Sequence, residues 1–169
     1  MKNPEGVIYI AGVARSGTSW VGQVFNSSPQ VAFCFQPFFS YEFKGCVNED
    51  SSGADYQRLF AEMFAADTLF LKQKDKQMSG EYPQFQKNTA PSVLVIKENR
   101  YQSLLEPMLR RVPIMKGIGI TRHPCAVLNS WRKNEKEFPA GADFLAEWRF
   151  GACKNKGNED YFGFYKWKE

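Results

Sequence analysis

Long hydrophobic runs, paired cysteines, basic tracts and histidines are all scarce in this chain. The longest apolar stretch near its start, GVIYIAGVA (6–14), is far shorter than the roughly 20 residues a membrane-crossing helix needs. Only Lys2 and Glu5 carry charge upstream of it and no cleavage-site pattern follows, so no secretion signal is read and a cytoplasmic location is expected. The four cysteines, Cys34, Cys46, Cys125 and Cys153, have no CxxC spacing, which argues against a zinc site. Reduced thiols are the default reading, with a Cys34–Cys46 disulfide left open for an exported protein. No basic block marks a nucleic-acid tail: KQKDK (72–76) contains Asp75 and reads as a solvated face. There is one histidine, His123, and no internal repeat.

What is present is a foldable chain. Its 169 residues suffice for one domain with a real core, and 43% hydrophobic and 15% aromatic residues favour order over disorder. The net charge of +4, from 22 basic and 18 acidic residues, suits a small anionic ligand.

Strand and helix patterns alternate along the chain. GVIYIAGV (6–13) is a continuous β-rich apolar run, the mark of a strand buried on both faces. In TSWVGQVFN (18–26), Trp20, Val21, Val24 and Phe25 recur at helical spacing, and Ser27, Ser28 and Pro29 stop the helix. VAFCF (31–35) predicts a second strand, 55–71 a helix, 72–91 a surface loop and VLVIK (93–97) a third strand. YQSLLEPMLRR (101–111) predicts an amphipathic helix with a kink point at Pro107, and IMKGIGITR (114–122) a fourth strand. Pro124 opens another helix, 142–155 reads as helical, and in the tail Tyr161, Phe164 and Tyr165 form one apolar helical face expected to pack on the sheet. The expectation is a single α/β domain over 1–169, a parallel sheet flanked by helices.

In such a sheet, ligands bind at the carboxyl ends of the strands, and three candidate groups fall there. GVARSGTSW (12–20) has the outline of a phosphate-binding loop, Gly12 and Gly17 followed by Thr18 and Ser19, but no lysine at position 18; its cation is Arg15. Backbone N–H groups and the start of the next helix can hold a phosphate there. Lys97 ends the third strand and would extend over the same rim or snorkel away from it. Arg122 ends the fourth strand, and Ser130 lies about two turns into the next helix, so guanidinium and hydroxyl can converge on a second phosphate.

Together RSGTSW and the Arg122…Ser130 pair, spaced eight apart, resemble the sulfotransferases that use 3′-phosphoadenosine 5′-phosphosulfate (PAPS). The resemblance covers residues 6 to about 135 and rests on these two segments. It implies a P-loop-containing nucleoside triphosphate hydrolase-like architecture. It implies that Arg15, Ser16, Gly17, Thr18 and Ser19 hold the 5′-phosphosulfate, that Arg122 and Ser130 hold the 3′-phosphate, and that Trp20 stacks on the adenine. Arg15 and Lys97 would neutralise the leaving phosphate without a metal, and the product would be adenosine 3′,5′-bisphosphate. Trp20 could equally be a core residue of its helix.

The departures concern the base and the extent of the chain. Carbohydrate-type members carry Glu-Pro after the second strand, where this chain has Gln36-Pro37; phenol- and steroid-type members carry a histidine just after the lysine, where it has Glu98 and Asn99. His123 falls within the segment assigned to the 3′-phosphate. The candidates for the base are Glu42 and Glu98, and Gln36 and Phe38 are expected beside a small-molecule or carbohydrate acceptor. The family domain is longer, so the expectation is a domain incomplete at its C-terminus, with an open sheet edge and a tendency to self-associate. Two rival classes stay open: a non-catalytic nucleotide-binding module, and a P-loop kinase or NTPase. The latter is opposed by Thr18 in the lysine position and by Arg122 where an acidic Mg²⁺ partner should end the strand.

Overall fold

Four short apolar segments, β1 (Gly6–Ala11), β2 (Val31–Phe35), β3 (Val93–Glu98) and β4 (Met115–Gly119), pair in parallel in the order β2-β3-β1-β4. The computed structural model describes residues 2–39, 42–135, 137–153 and 164–168. Ala11 pairs with Glu98 on one side and Gly119 on the other, and Phe35 pairs with Lys97, so all four strands end on one rim.

The helices cover both faces, which makes this an α/β structure with an all-parallel four-stranded sheet. On one face α1 (Thr18–Asn26) packs Val21 and Phe25 against Ile10, Phe33 and Val95. On the other, α2 (Gly53–Ala65) and α4 (Leu105–Arg111) bring Tyr56, Leu59, Phe60, Met63 and Met108 onto Val7, Tyr9, Leu94 and Ile96. A smaller cluster forms beyond the rim, where Leu128 and Trp131 of α5 (Pro124–Arg132) meet Phe138, Phe144 of α6 (Phe144–Glu147), Trp148, and Phe164 of α7 (Phe164–Lys168). Among the described residues no helix is long and apolar enough to cross a membrane, and the four cysteines are free.

Several segments differ from the sequence reading for local reasons. Helix α2 begins at Gly53 because Ser52 and Asp55 form a capping box, and it stops at Ala65 because Ala66 turns extended. The expected loop at 72–91 contains α3 (Lys74–Met78). The expected helix at 101–111 opens as a 3₁₀ turn, Gln102–Leu104, and Pro107 falls in the first turn of α4, where no i−4 bond is lost and no kink is required. The 142–155 helix shrinks to α6, capped by the Asp143 carboxylate on the Leu145 N–H at 2.9 Å. Strand β4 is shorter than the expected 114–122 run, and Lys116, Gly117 and Gly119 are exposed, because it borders the sheet and pairs with β1 alone among the described strands. Tyr161 lies outside the described residues. The remainder of the tail packs on the α5–α6 layer, with Phe164 5.6 Å from Trp148 and Tyr165 stacked 4.7 Å from Phe150.

Candidate anion-binding site

The exit from β1 is built for close approach. A Cβ at Gly12 would lie 2.6 Å from the Ile120 carbonyl oxygen, so only glycine lets this loop pass the end of β4. Arg15 (φ 71°) and Gly17 (φ 99°) then take left-handed conformations that reverse the chain into α1. No side chain caps α1, so the first-turn N–H groups of Thr18, Ser19 and Trp20 face out of the helix end without intrahelical partners. Successive N–H groups in such a turn, added to the helix dipole, form an anion-binding concavity.

Each predicted loop residue occupies a distinct position. Ser16 is buried, and its hydroxyl has no hydrogen-bond partner among the described residues. Thr18 is also buried but committed: its hydroxyl donates to Asn99 Oδ1 at 2.8 Å, tying α1 to the end of β3. Ser19 is half-buried. Trp20 is 72% exposed at the start of α1, so it belongs to the surface and not to the core.

The second motif meets the first. Helix α5 starts cleanly because Pro124 fills its first position and His123 Nδ1 accepts the Cys125 N–H at 3.2 Å. That places Ser130 where its hydroxyl accepts a hydrogen bond from Arg15 Nε at 3.2 Å, while Arg122 donates to the Arg15 carbonyl at 3.1 Å. The Trp167 indole N–H, from α7, donates to the Arg122 carbonyl at 2.8 Å and holds that strand end from behind.

Lys97 and Glu98, adjacent in β3, point to opposite faces of the sheet. Lys97 is 1% exposed and folds under α1 instead of extending over the rim. Gly22 passes over it: a Cβ there would only touch Lys97 Cγ, at 3.6 Å, but would crowd the Phe33 ring at 3.0 Å. Its ammonium sits 4.7 Å from the centre of the Phe35 ring, with no ion pair or hydrogen bond among the described residues. Burial pulls its pKa down to about 8, against the opposing fields of Glu98 and Glu137.

Glu98 is fully buried. Oε1 accepts the N–H groups of Asn99 (2.9 Å) and Arg100 (3.1 Å), while Oε2 is sealed without a partner among the described residues. Burial pushes its pKa up to about 7, although the Asn99 amide and the Lys97 ammonium favour the carboxylate. On the same face the Tyr9 hydroxyl is likewise sealed and unpartnered among the described residues, and burial together with Glu98 raises its pKa well above the ordinary range.

The remaining predicted residues divide. Gln36 lies at the rim: in a left-handed conformation (φ 42°), its N–H donates to the Lys97 carbonyl at 2.7 Å. Phe38 is a core side chain, 2% exposed, between Tyr9 (6.5 Å) and Tyr101 (6.1 Å). Glu42 is exposed and accepts from the Thr68 hydroxyl at 3.3 Å, with no bond to the loop among the described residues.

Two residues escaped the sequence reading. Asn99 stands beside the flagged lysine, and its adjacency was the available signal. Glu137, whose Oε2 is sealed without a partner among the described residues, lies in an irregular loop after α5 with no spacing to single it out. A cleft of about 790 Å³ opens beside the loop, walled by Gly12, Asn99, Tyr101, Ser103, Thr121 and Trp167.

The assembled chemistry is a row of outward-facing amides, a buried hydroxyl without a partner among the described residues, an arginine bonded to Ser130 through its side chain and to Arg122 through its carbonyl, and a buried lysine behind them. Compared with known proteins, the chain matches no family model and no curated protein.

Proposed function

We propose that the chain is a PAPS-dependent sulfotransferase of P-loop-type architecture, acting on a hydroxyl or amine acceptor, with a carbohydrate hydroxyl as the first choice. The observation that carries the reading is the meeting of the two motifs: beside the uncapped start of α1, Arg15 donates to the Ser130 hydroxyl and accepts from Arg122 at its backbone carbonyl. A donor with phosphates at both its 5′ and 3′ positions needs two adjacent anion sites. The orphaned Ser16 hydroxyl and the uncapped amides fit the first, and the Arg122–Ser130 pair fits the second.

When bound, PAPS supplies an activated SO₃ group on a bridging oxygen that gains negative charge as the S–O bond breaks. The residues do the rest. The amides of Thr18, Ser19 and Trp20 and the Arg15 guanidinium stabilise that growing charge, with Lys97 adding a positive field from beneath. Arg122 and Ser130 orient the donor through its 3′-phosphate. Glu98, with a pKa near 7, has the proton affinity that general base catalysis requires, and Glu42 and Glu137 are the other carboxylates to test. One observation favours a second reading, a nucleotide-binding module without turnover: Glu98 spends Oε1 on two backbone amides, as a structural carboxylate does.

Calorimetry decides the ligand. Arg122→Ala is expected to weaken adenosine 3′,5′-bisphosphate about tenfold or more, the scale of a lost charged hydrogen bond, while leaving adenosine 5′-phosphate nearly unchanged. Equal losses for both nucleotides would refute the 3′-phosphate assignment. An acceptor screen with labelled PAPS then separates an enzyme from a binding module.

A further inference from the structure

A second cleft, of about 550 Å³, lies near the amino-terminal end of β2 and the last turn of α1, away from the loop. Three lysines line it, Lys72, Lys74 and Lys87, against a single acidic residue, Asp67. Asp67 is already taken by Lys74, at 2.7 Å. Lys72 and Lys87 have no carboxylate partner among the described residues. The KQKDK segment is therefore not simply a solvated face, since two of its lysines wall a cavity.

The two uncompensated ammoniums also hold the backbone. Lys72 donates to the Phe33 carbonyl at 3.0 Å, and Lys87 donates to the carbonyls of Asn26 and Ser28 at the end of α1. Capping accounts for the Lys87 contacts, because a lysine satisfies orphan carbonyls at a helix C-terminus, and Lys72 likewise satisfies a carbonyl of β2. It does not account for two like charges facing one cavity. Burial, reinforced by Lys72, lowers the pKa of Lys87 to about 8, which marks a charge lacking a counterion. An ammonium has three donors, so each keeps at least one for a ligand. Phe64 and Phe85 complete the wall with apolar surface.

We propose that this cleft is an oxyanion site, binding a phosphate or sulfate group between Lys72 and Lys87, independently of the phosphate loop. The inference does not rest on the sulfotransferase reading: the ligand could be a free ion or the anionic end of a small ester, and the chemistry that recognises it is the same.

The full chain would be titrated with inorganic phosphate, inorganic sulfate and phenyl sulfate at constant ionic strength, by calorimetry and by NMR of the lysine side chains. Saturable binding is expected, with the Lys87 titration midpoint rising by about half a pH unit or more as the anion stabilises the ammonium. The double variant Lys72→Gln, Lys87→Gln should bind at least tenfold more weakly, and Lys87→Arg should retain binding. Tighter binding of phenyl sulfate than of sulfate would assign an ester seated on Phe64 and Phe85; equal affinities would assign the free ion. An unmoved Lys87 midpoint at high anion overturns the proposal. So does undiminished binding in the folded double variant. Should that variant not fold, the wild-type midpoint alone decides.

Discussion

Strands β3 and β4 flank β1 and deliver groups to the same loop, yet they are built on different terms. Residues Leu94–Glu98 of β3 are at most 1% exposed, and the strand carries its charges inward. In β4, Lys116, Gly117 and Gly119 are exposed, and the charge it delivers, Arg122, lies in solvent beyond its end. The same chemistry therefore has two characters. Burial makes the titration of Lys97 and Glu98 strongly dependent on their surroundings, whereas Arg122 keeps a full charge and acts through where it is held. The loop sits on the seam, taking a fixed field from one side and directional hydrogen bonds from the other.

The largest expected effect tests the buried side. Lys97→Met keeps the stem and removes the ammonium. Under the proposed function, sulfuryl transfer should fall about 100- to 1000-fold, the scale of a lost oxyanion donor, with no loss of thermal stability because an unpaired buried charge is removed as well. Single-turnover assays with melting curves check both halves; full activity would show that Lys97 acts only as a structural residue.

The next prediction compares the strands as packing elements. Ile96→Ala removes a fully buried side chain and should cost about 2–5 kcal/mol. Ile118→Ala, on half-buried β4, should cost well under half as much. Urea denaturation of the pair measures the difference, and equal costs would mean that β4 is covered in solution.

The smallest effect is electrostatic. The pKa of Glu98 is raised in the folded state from 4.5 to about 7, so the fold holds an extra proton between those values. Its stabilising contribution is complete below about pH 4.5 and is lost as pH rises through about 7, on the order of 3 kcal/mol in all. Glu98→Gln keeps an acceptor for the Asn99 and Arg100 amides, so chemical denaturation across this range should show a shallower fall for the variant. An unchanged slope would assign the titration to another group.

Much of the site was legible because its signals are local. Gly12 and Gly17 are needed for close approach and positive φ, and Pro124 starts a helix wherever it occurs in such a context, so the strand–loop–helix units and the placement of Ser130 could be read residue by residue. The role of Lys97 was only half legible. The strand pattern put it at the rim, but its descent beneath α1 depends on how that helix packs across β3, which residue spacing does not show. Helix α2 came out shorter at its C-terminal end than its periodicity implied, because hydrophobic spacing in Leu69–Leu71 mimics a helix that the extended Ala66 has already ended.

The sequence by itself determined the alternation of strands and helices and the local geometry of the two motif segments, since turn chemistry and apolar periodicity act over a few residues. Only the tertiary structure decided that β4 borders the sheet and is exposed, that Arg15 meets Ser130, that Glu137 lends its field to Lys97, and that Lys72 and Lys87 share a cleft. Strand order and burial are long-range properties. They depend on which elements exclude water from one another, and residues 15 and 130, or 72 and 87, acquire a relationship only when the sheet brings them together.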